Sequence, residues 1–418
     1  MPGQILNRLT RSRSWLTRPM SGARLLQKSS RVRLKKVLCA IPAQPECQKR
    51  VKFSLVISYR LVSSSMCHSH QLRCACFAAS ALVAAAFTTG PARPETMEQR
   101  YTKPVKVVAP TMIEVPVASE APALFPIYVS EDWSRPMPQL RRAVLVFHGL
   151  TRNADAYFEG ALAARTKAGS AGADVLMISP QFLAVEDVEA HHLPARTLAF
   201  NWNRWAGGEE ALMPAPISSF AAIDTVLAHL ADRSRFPKLE TVIVAGFSAG
   251  GQVVQRYAVV GHGETALDAA GIHVRYVVSD PSSYLHFSAD RPAHDPSCAR
   301  ENTWKYGFGA DVPPYVSGSV SDLEVRYVKR DVVYLLGLAD NDPDNASLDK
   351  SCAARAQGPN RVARMMNYIA EMQRRHPYDF THALVTVPGI AHEGRKIFES
   401  PCGQALLFSA AGCRLFDR

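Results

Sequence analysis

From Tyr101 onward the chain repeats one alternation: a short, wholly apolar run rich in β-branched residues, then a stretch whose apolar side chains recur at helical spacing. Residues 143–147 (AVLVF), 174–179 (DVLMIS), 241–245 (TVIVA), 274–278 (VRYVV), 332–338 (VVYLLGL) and 383–387 (ALVTV) read as strands. Residues 154–167, 217–231, 252–260 and 361–373 read as the helices between them. A strand with no in–out alternation must be covered on both faces, and a helix after each strand supplies the cover. The expected class is therefore α/β, with a mostly parallel central sheet, helices on both faces and loop insertions. The runs 112–117 and 124–129, broken by Pro, suit an opening antiparallel hairpin, and 281–329 reads as an insertion.

The formal charge of +11 does not belong to that body. Between Met1 and Arg73 fifteen Lys or Arg stand against Glu46 alone, an excess of 14 that leaves the remainder near −3. A nucleic-acid partner is not inferred from it. Residues 1–65 form a basic leader, either transit-like or an upstream extension of the start site. Residues 66–92 resemble a signal peptide: Arg73 precedes the apolar run 74–87 (CACFAASALVAAAF), and small and turn residues follow. The run is short for a bilayer span, which takes about 20 apolar residues. A cleaved signal and a secreted or periplasmic body, 93–418, are expected, with an N-terminal membrane anchor as the alternative. In the body Cys298, Cys352, Cys402 and Cys413 remain, with no CxxC spacing. In an oxidising compartment they read as two disulfides, and Cys298–Cys352 with Cys402–Cys413 is the favoured pairing because each brackets a loop-rich stretch.

Gly246-Phe247-Ser248-Ala249-Gly250, followed by Gly251, matches G-x-S-x-G and lies between an apolar strand and a helix. That strand–turn–helix setting is what a nucleophile elbow requires, with small neighbours so that strand and helix can approach. A serine hydroxyl needs a base to take its proton and a third group to orient the base. His392, in a Gly-flanked loop after the last strand, is the candidate base; His382 precedes that strand and His376 ends a helix. For the acid, Asp340 follows the preceding strand in Gly337-Leu338-Ala339-Asp340, with Asp342 and Asp280 as alternatives. The oxyanion donors are expected to be the backbone amides of Ala249 and Leu150. Residues 340–345 resemble the start of a calcium loop but lack its Gly and Glu, and 189–192 (EAHH) reads as a polar surface loop. No metal and no cofactor is expected.

Over about residues 110–416 the chain resembles the α/β-hydrolase superfamily, through His148-Gly149, the GFSAGG run at 246–251, GLAD at 337–340 and the His392 loop. Within it the chain is similar to a group of exported bacterial and fungal hydrolases distantly related to extracellular esterases and polyester depolymerases. The segments 281–284 (PSSY), 304–307 (WKYG) and 357–361 (QGPNR) carry that likeness. The resemblance implies hydrolysis of a small-molecule or polymeric carboxylic ester by a Ser248–His392–Asp340 triad, without a cofactor. A peptidase or amidase with the same triad, and a non-catalytic binding protein, are the other readings; this fold hosts many chemistries. Trp202, Trp205, Tyr284 and Trp304 are candidates for the substrate pocket, since aromatic rings offer apolar area with a polar handle. No stable membrane insertion is expected after signal cleavage, and the sequence does not fix an oligomeric state.

Overall fold

The computed structural model describes residues 96–118 and 120–413; the basic leader and the signal-like segment lie outside the described residues. In chain order the strands are β1 (Thr111–Val115), β2 (Ala123–Val129), β3 (Arg142–Phe147), β4 (Val175–Pro180), β5 (Leu183–Ala184), β6 (Ala199–Phe200), β7 (Thr241–Phe247), β8 (His273–Ser279), β9 (Asp331–Gly337) and β10 (Ala383–Val387). Eight form one sheet in the order β1-β2-β4-β3-β7-β8-β9-β10, and β5 pairs with β6 apart from it. From β4 to β10 every pairing is parallel; β1–β2 and β2–β4 are antiparallel.

The helices are α1 (Met97–Tyr101), α2 (Ala154–Lys167), α3 (Val185–Ala190), α4 (Ser219–Leu230), α5 (Ala249–Val260), α6 (Glu264–Ala269), α7 (Val320–Lys329), α8 (Cys352–Ala356), α9 (Arg361–Arg375), α10 (Gly394–Glu399) and α11 (Pro401–Phe408). Because successive strand residues point to opposite faces, each apolar run divides itself between two cores. Leu145 and Phe147 pack with residues of α4, α5, α7 and α9, whereas Val144 and Val146 pack with residues of α2, α10 and α11. The same division separates Val242 and Val244 from Ile243 and Ala245 in β7. Every residue of α5 is buried.

The parallel strands point their carboxyl ends the same way. The residues after Phe147, Phe247, Ser279, Gly337 and Val387 therefore emerge along one edge, where open α/β sheets present their sites. The insertion at 281–329 ends in α7, whose N-cap Ser319 hydroxyl accepts from the Asp322 amide at 3.1 Å. Disulfides join Cys298 to Cys352 and Cys402 to Cys413. The acidic run after β9 is a pair of Asx turns: Asp342 Oδ1 accepts from the Asp344 amide at 2.8 Å, and Asn345 Oδ1 from the Ser347 amide at 3.0 Å. Among the described residues no helix is long and apolar enough to cross a membrane, and no three His, Cys, Asp or Glu are grouped to hold a metal ion.

Candidate active site

β7 gives way to α5 in a bend that holds Ser248 at φ 61° and ψ −118°, a backbone region that L side chains rarely adopt. The glycines around it answer to close approach. A Cβ on Gly246 would collide with the Gly250 carbonyl, one on Gly250 with the Phe147 carbonyl, and one on Gly251 with the Ser279 carbonyl. The Ser248 amide donates to the Ser279 carbonyl at 3.0 Å, which ties the bend to the neighbouring strand.

His392 sits in the loop after β10. Its Nε2 accepts from the Ser248 hydroxyl at 3.0 Å, and its Nδ1–H donates to Asp340 Oδ2 at 2.6 Å. Those roles follow from the tautomer that satisfies both partners. The Phe247 ring lies against the imidazole, 4.5 Å between centroids. Two backbone bonds, Leu338 N–H to Val387 O and Ala339 N–H to Ile390 O, both 3.0 Å, register the acid's loop against the histidine's. Burial pulls the His392 pKa below its ordinary 6.5, and the Asp340 hydrogen bond pushes partly back. A hydroxyl, a neutral imidazole and a buried carboxylate in this order can move a proton off the hydroxyl.

Of the three acids considered, Asp340 is the one hydrogen-bonded to His392. It is buried, and its Oδ1 accepts from Arg361 Nη1 at 3.2 Å. Arg361, at the first turn of α9, is itself buried and also donates to the Ser282 and Ser347 hydroxyls at 3.2 and 3.0 Å. Asp342 is exposed. Asp280, after β8, is fully buried, receives the Ser279 hydroxyl at 2.9 Å and the Gly337 amide at 3.1 Å, and makes no bond to His392. Burial first, then the charge of Asp340, pushes its pKa up to about 8, so at neutral pH it is mostly the neutral acid.

The loop after β3 passes beside the serine: a Cβ on Gly149 would stand 4.0 Å from Ser248 Cβ and 2.9 Å from the Tyr157 hydroxyl. His148 fixes this loop from beneath. Its Nδ1–H donates to the Gly149 carbonyl at 2.8 Å while Nε2 accepts from the Phe182 amide at 3.0 Å. Burial lowers its pKa to about 4, so the ring is neutral. Arg152, at φ 55°, is buried in an ion pair with Asp187 at 2.6 Å and anchors the loop's far end. The amides of Leu150 and Ala249 donate to no other atom of the described residues.

A cleft of about 770 Å³ is lined by Leu150, Trp202, Gln252, Ser282, Trp304 and Tyr306, among others. Two of the aromatic expectations need correction. Trp205 has no exposed surface; it stacks on Phe182 at 5.1 Å and lies 4.7 Å from the His148 ring, so it supports the loop after β3 from the core. Tyr284 also has no exposed surface; it stacks on Tyr368 at 4.7 Å, and its backbone is clamped by Gln357. Trp202 and Trp304 do line the cleft, the Trp304 indole donating to the Gly207 carbonyl at 2.7 Å. No role for Arg361, Arg152 or Asp187 follows from the motifs. Their only signal is a charge placed where the pattern otherwise demands burial.

No protein-family model and no curated protein matches the chain. Solved structures do. LpqC, a poly(3-hydroxybutyrate) depolymerase from Bordetella parapertussis, is 22% identical with a TM-score of 0.50, over 77% of this chain and 96% of that one. Poly(aspartic acid) hydrolase-1 from Sphingomonas sp. KT-1 is 20% identical with a TM-score of 0.49, over 73% and 99%. The siderophore hydrolase EstB from Aspergillus nidulans is 13% identical with a TM-score of 0.39, over 73% and 97%. With its sheet order and its parallel core, the chain has the α/β-hydrolase fold.

Proposed function

We propose that the chain is a serine hydrolase acting on carboxylic esters through an acyl-enzyme. The hydrogen-bonded series Ser248–His392–Asp340 carries this reading. In the first half-reaction Ser248 Oγ bonds to the ester carbonyl carbon while its proton passes to His392 Nε2. The negative oxygen so formed is met by the Ala249 and Leu150 amides. Collapse of the adduct breaks the bond to the alkoxy oxygen, which takes the proton from His392 and leaves as the alcohol. In the second half-reaction water attacks the acyl-enzyme by the same route, giving the acid and restoring Ser248. Asp340 keeps the imidazole in its productive tautomer and stabilises the imidazolium. Arg361 holds the other oxygen of Asp340 by a hydrogen bond at 3.2 Å.

The body at 93–418 is read as one catalytic domain, exported after loss of the preceding segment. The two disulfides support an oxidising compartment. Because one structural relative is named a depolymerase of poly(3-hydroxybutyrate), polymeric esters belong in the substrate panel beside small ones.

A fluorophosphonate probe tests the reading directly. It is expected to label Ser248, and Ser248→Ala is expected to abolish labelling and short-chain ester turnover together. Turnover that survives in Ser248→Ala would sink the proposal. N-terminal sequencing of the exported protein tests the processing.

A further inference from the structure

The cleft lined by Leu150 and Gln252 is not an apolar slot. Arg204, Arg300, Lys305 and Lys350 line it, with Glu209, Asp311 and Asp349. Most of these charges are paired. Arg204 meets Glu209 at 2.9 Å, Arg300 meets Asp311 at 3.7 Å, and Lys350 meets Asp344 at 3.9 Å. Asp349 spends one carboxylate oxygen on the Tyr306 hydroxyl at 2.7 Å and the other on the Ser351 amide at 3.0 Å.

Lys305 is the exception. Its ammonium makes no hydrogen bond and no ion pair among the described residues, and it lies 5.9 Å from the centroid of the Tyr306 ring. Burial pulls its pKa below the ordinary lysine value, and the Asp349 charge opposes that pull. A second cation lies directly behind it. Arg256, with no exposed surface, donates to the Lys305 carbonyl at 3.1 Å, the Ala206 carbonyl at 2.9 Å, Gln252 Oε1 at 3.1 Å and the Ser283 hydroxyl at 2.9 Å. All four acceptors are neutral. The cleft wall therefore presents one ammonium with no hydrogen-bond partner among the described residues, backed by a guanidinium that hydrogen-bonds neutral acceptors; Asp349 and Glu209 act on both cations through their charge without a direct bond to either.

The position joins this charge to the chemistry. Gln252 and Leu150 belong to the same cleft; the Gln252 amide donates to the Ser248 carbonyl at 3.0 Å, and Leu150 follows the glycine that flanks Ser248. An occupant that reaches Ser248 through this cleft passes the unpaired ammonium.

We propose that Lys305 is a specificity-determining residue that binds a free carboxylate on the substrate, so that the favoured esters carry an acid group on their acyl or alcohol part. This rests on the serine-hydrolase reading above. Pairing a partly desolvated ammonium with a carboxylate supplies a charge-assisted hydrogen bond that a neutral ester does not make.

Two matched pairs test it: p-nitrophenyl hemiglutarate against p-nitrophenyl valerate for the acyl side, and 4-acetoxybenzoate against its methyl ester for the alcohol side. The wild type is expected to favour the charged member of at least one pair by about tenfold or more in kcat/KM. Lys305→Met should bring that ratio toward one, and Lys305→Arg should keep most of it. A wild-type ratio near one in both pairs, with Ser248 still labelled by fluorophosphonate, overturns the proposal and leaves the hydrolase reading standing. A preference that survives in folded Lys305→Met overturns it as well. Absent labelling would instead strike the hydrolase reading. Calorimetry with glutarate and the neutral glutaramide then decides the carboxylate site: binding of glutarate that is lost in Lys305→Met supports it, and equal binding of the two by the wild type overturns it.

Discussion

Arg361 and His392 hold opposite oxygens of one carboxylate: the guanidinium lies 3.2 Å from Asp340 Oδ1, and the imidazole 2.6 Å from Oδ2. The arginine belongs to α9 and the histidine to the loop after β10, so two separate elements fix the orientation of a single side chain.

That double hold separates the three acids by mutation. Asp340→Asn removes the acceptor that fixes the imidazole tautomer, and kcat is expected to fall roughly 10⁴-fold. Asp342→Asn, on an exposed turn, should stay near wild type. Steady-state kinetics on one activated ester decides it, and equal losses in the two variants would refute the assignment.

Arg361→Gln is expected to act on pH as well as rate. Its charge lowers the His392 pKa, so removing it should move the acid limb of kcat/KM to higher pH. A kcat loss of about a hundredfold, from a carboxylate no longer held in line, should accompany the shift. A loss of rate with no movement of the limb would mean that Arg361 serves the fold alone.

The wild-type profile has a predicted sign of its own. His392 must be neutral to accept the serine proton, and burial favours the neutral form. The acid limb should therefore have its midpoint below 6.5, with activity retained in mildly acidic solution. A midpoint above that value would contradict the buried geometry.

Asp280 should reveal itself in stability. Its folded-state pKa, about 8, lies above the ordinary carboxyl value of 3.8. Its contribution is complete below the unfolded value and is lost as pH rises through the folded one. Across that window Asp280→Asn is expected to flatten the decline of Tm in the wild type and to be the more stable protein at pH 8. Parallel Tm curves for the two proteins would show that Asp280 does not titrate there.

The disulfides differ in span, 54 residues against 11. Chain entropy then predicts losses of about 4 kcal/mol for Cys298→Ser with Cys352→Ser and about 3 kcal/mol for Cys402→Ser with Cys413→Ser. Cys352 also lines the cleft, so the first pair should raise KM, and the second should leave it unchanged. Denaturant titration and kinetics on the two double variants measure both.

What could be read in advance follows from where sterics leave a mark on residue type. The apolar runs at 143–147, 241–245 and 383–387 are strands within one or two residues of expectation, because a strand covered on both faces tolerates little else. The bend at Ser248 leaves a mark because three backbone approaches exclude Cβ atoms at 246, 250 and 251. The short helices α10 and α11 were not anticipated; a Pro at 401 and a length of one or two turns leave no usable period. Trp205 and Tyr284 were misassigned because an aromatic ring in a loop suits a packed core as well as a pocket wall, and composition does not tell the two apart. Arg361 was quoted without a task for the converse reason: nothing local in a helix start announces a carboxylate 21 residues away in sequence.

The bend that presents Ser248 also sets the molecule against itself. A residue with a side chain at φ 61° is held there by its surroundings, at a cost on the order of 1–3 kcal/mol. Glycine would rest in that conformation easily and would have no hydroxyl. On the proposed triad, drift toward a more durable fold at this one position is drift toward an inert protein, and thermostability screens that ignore turnover would reward its loss.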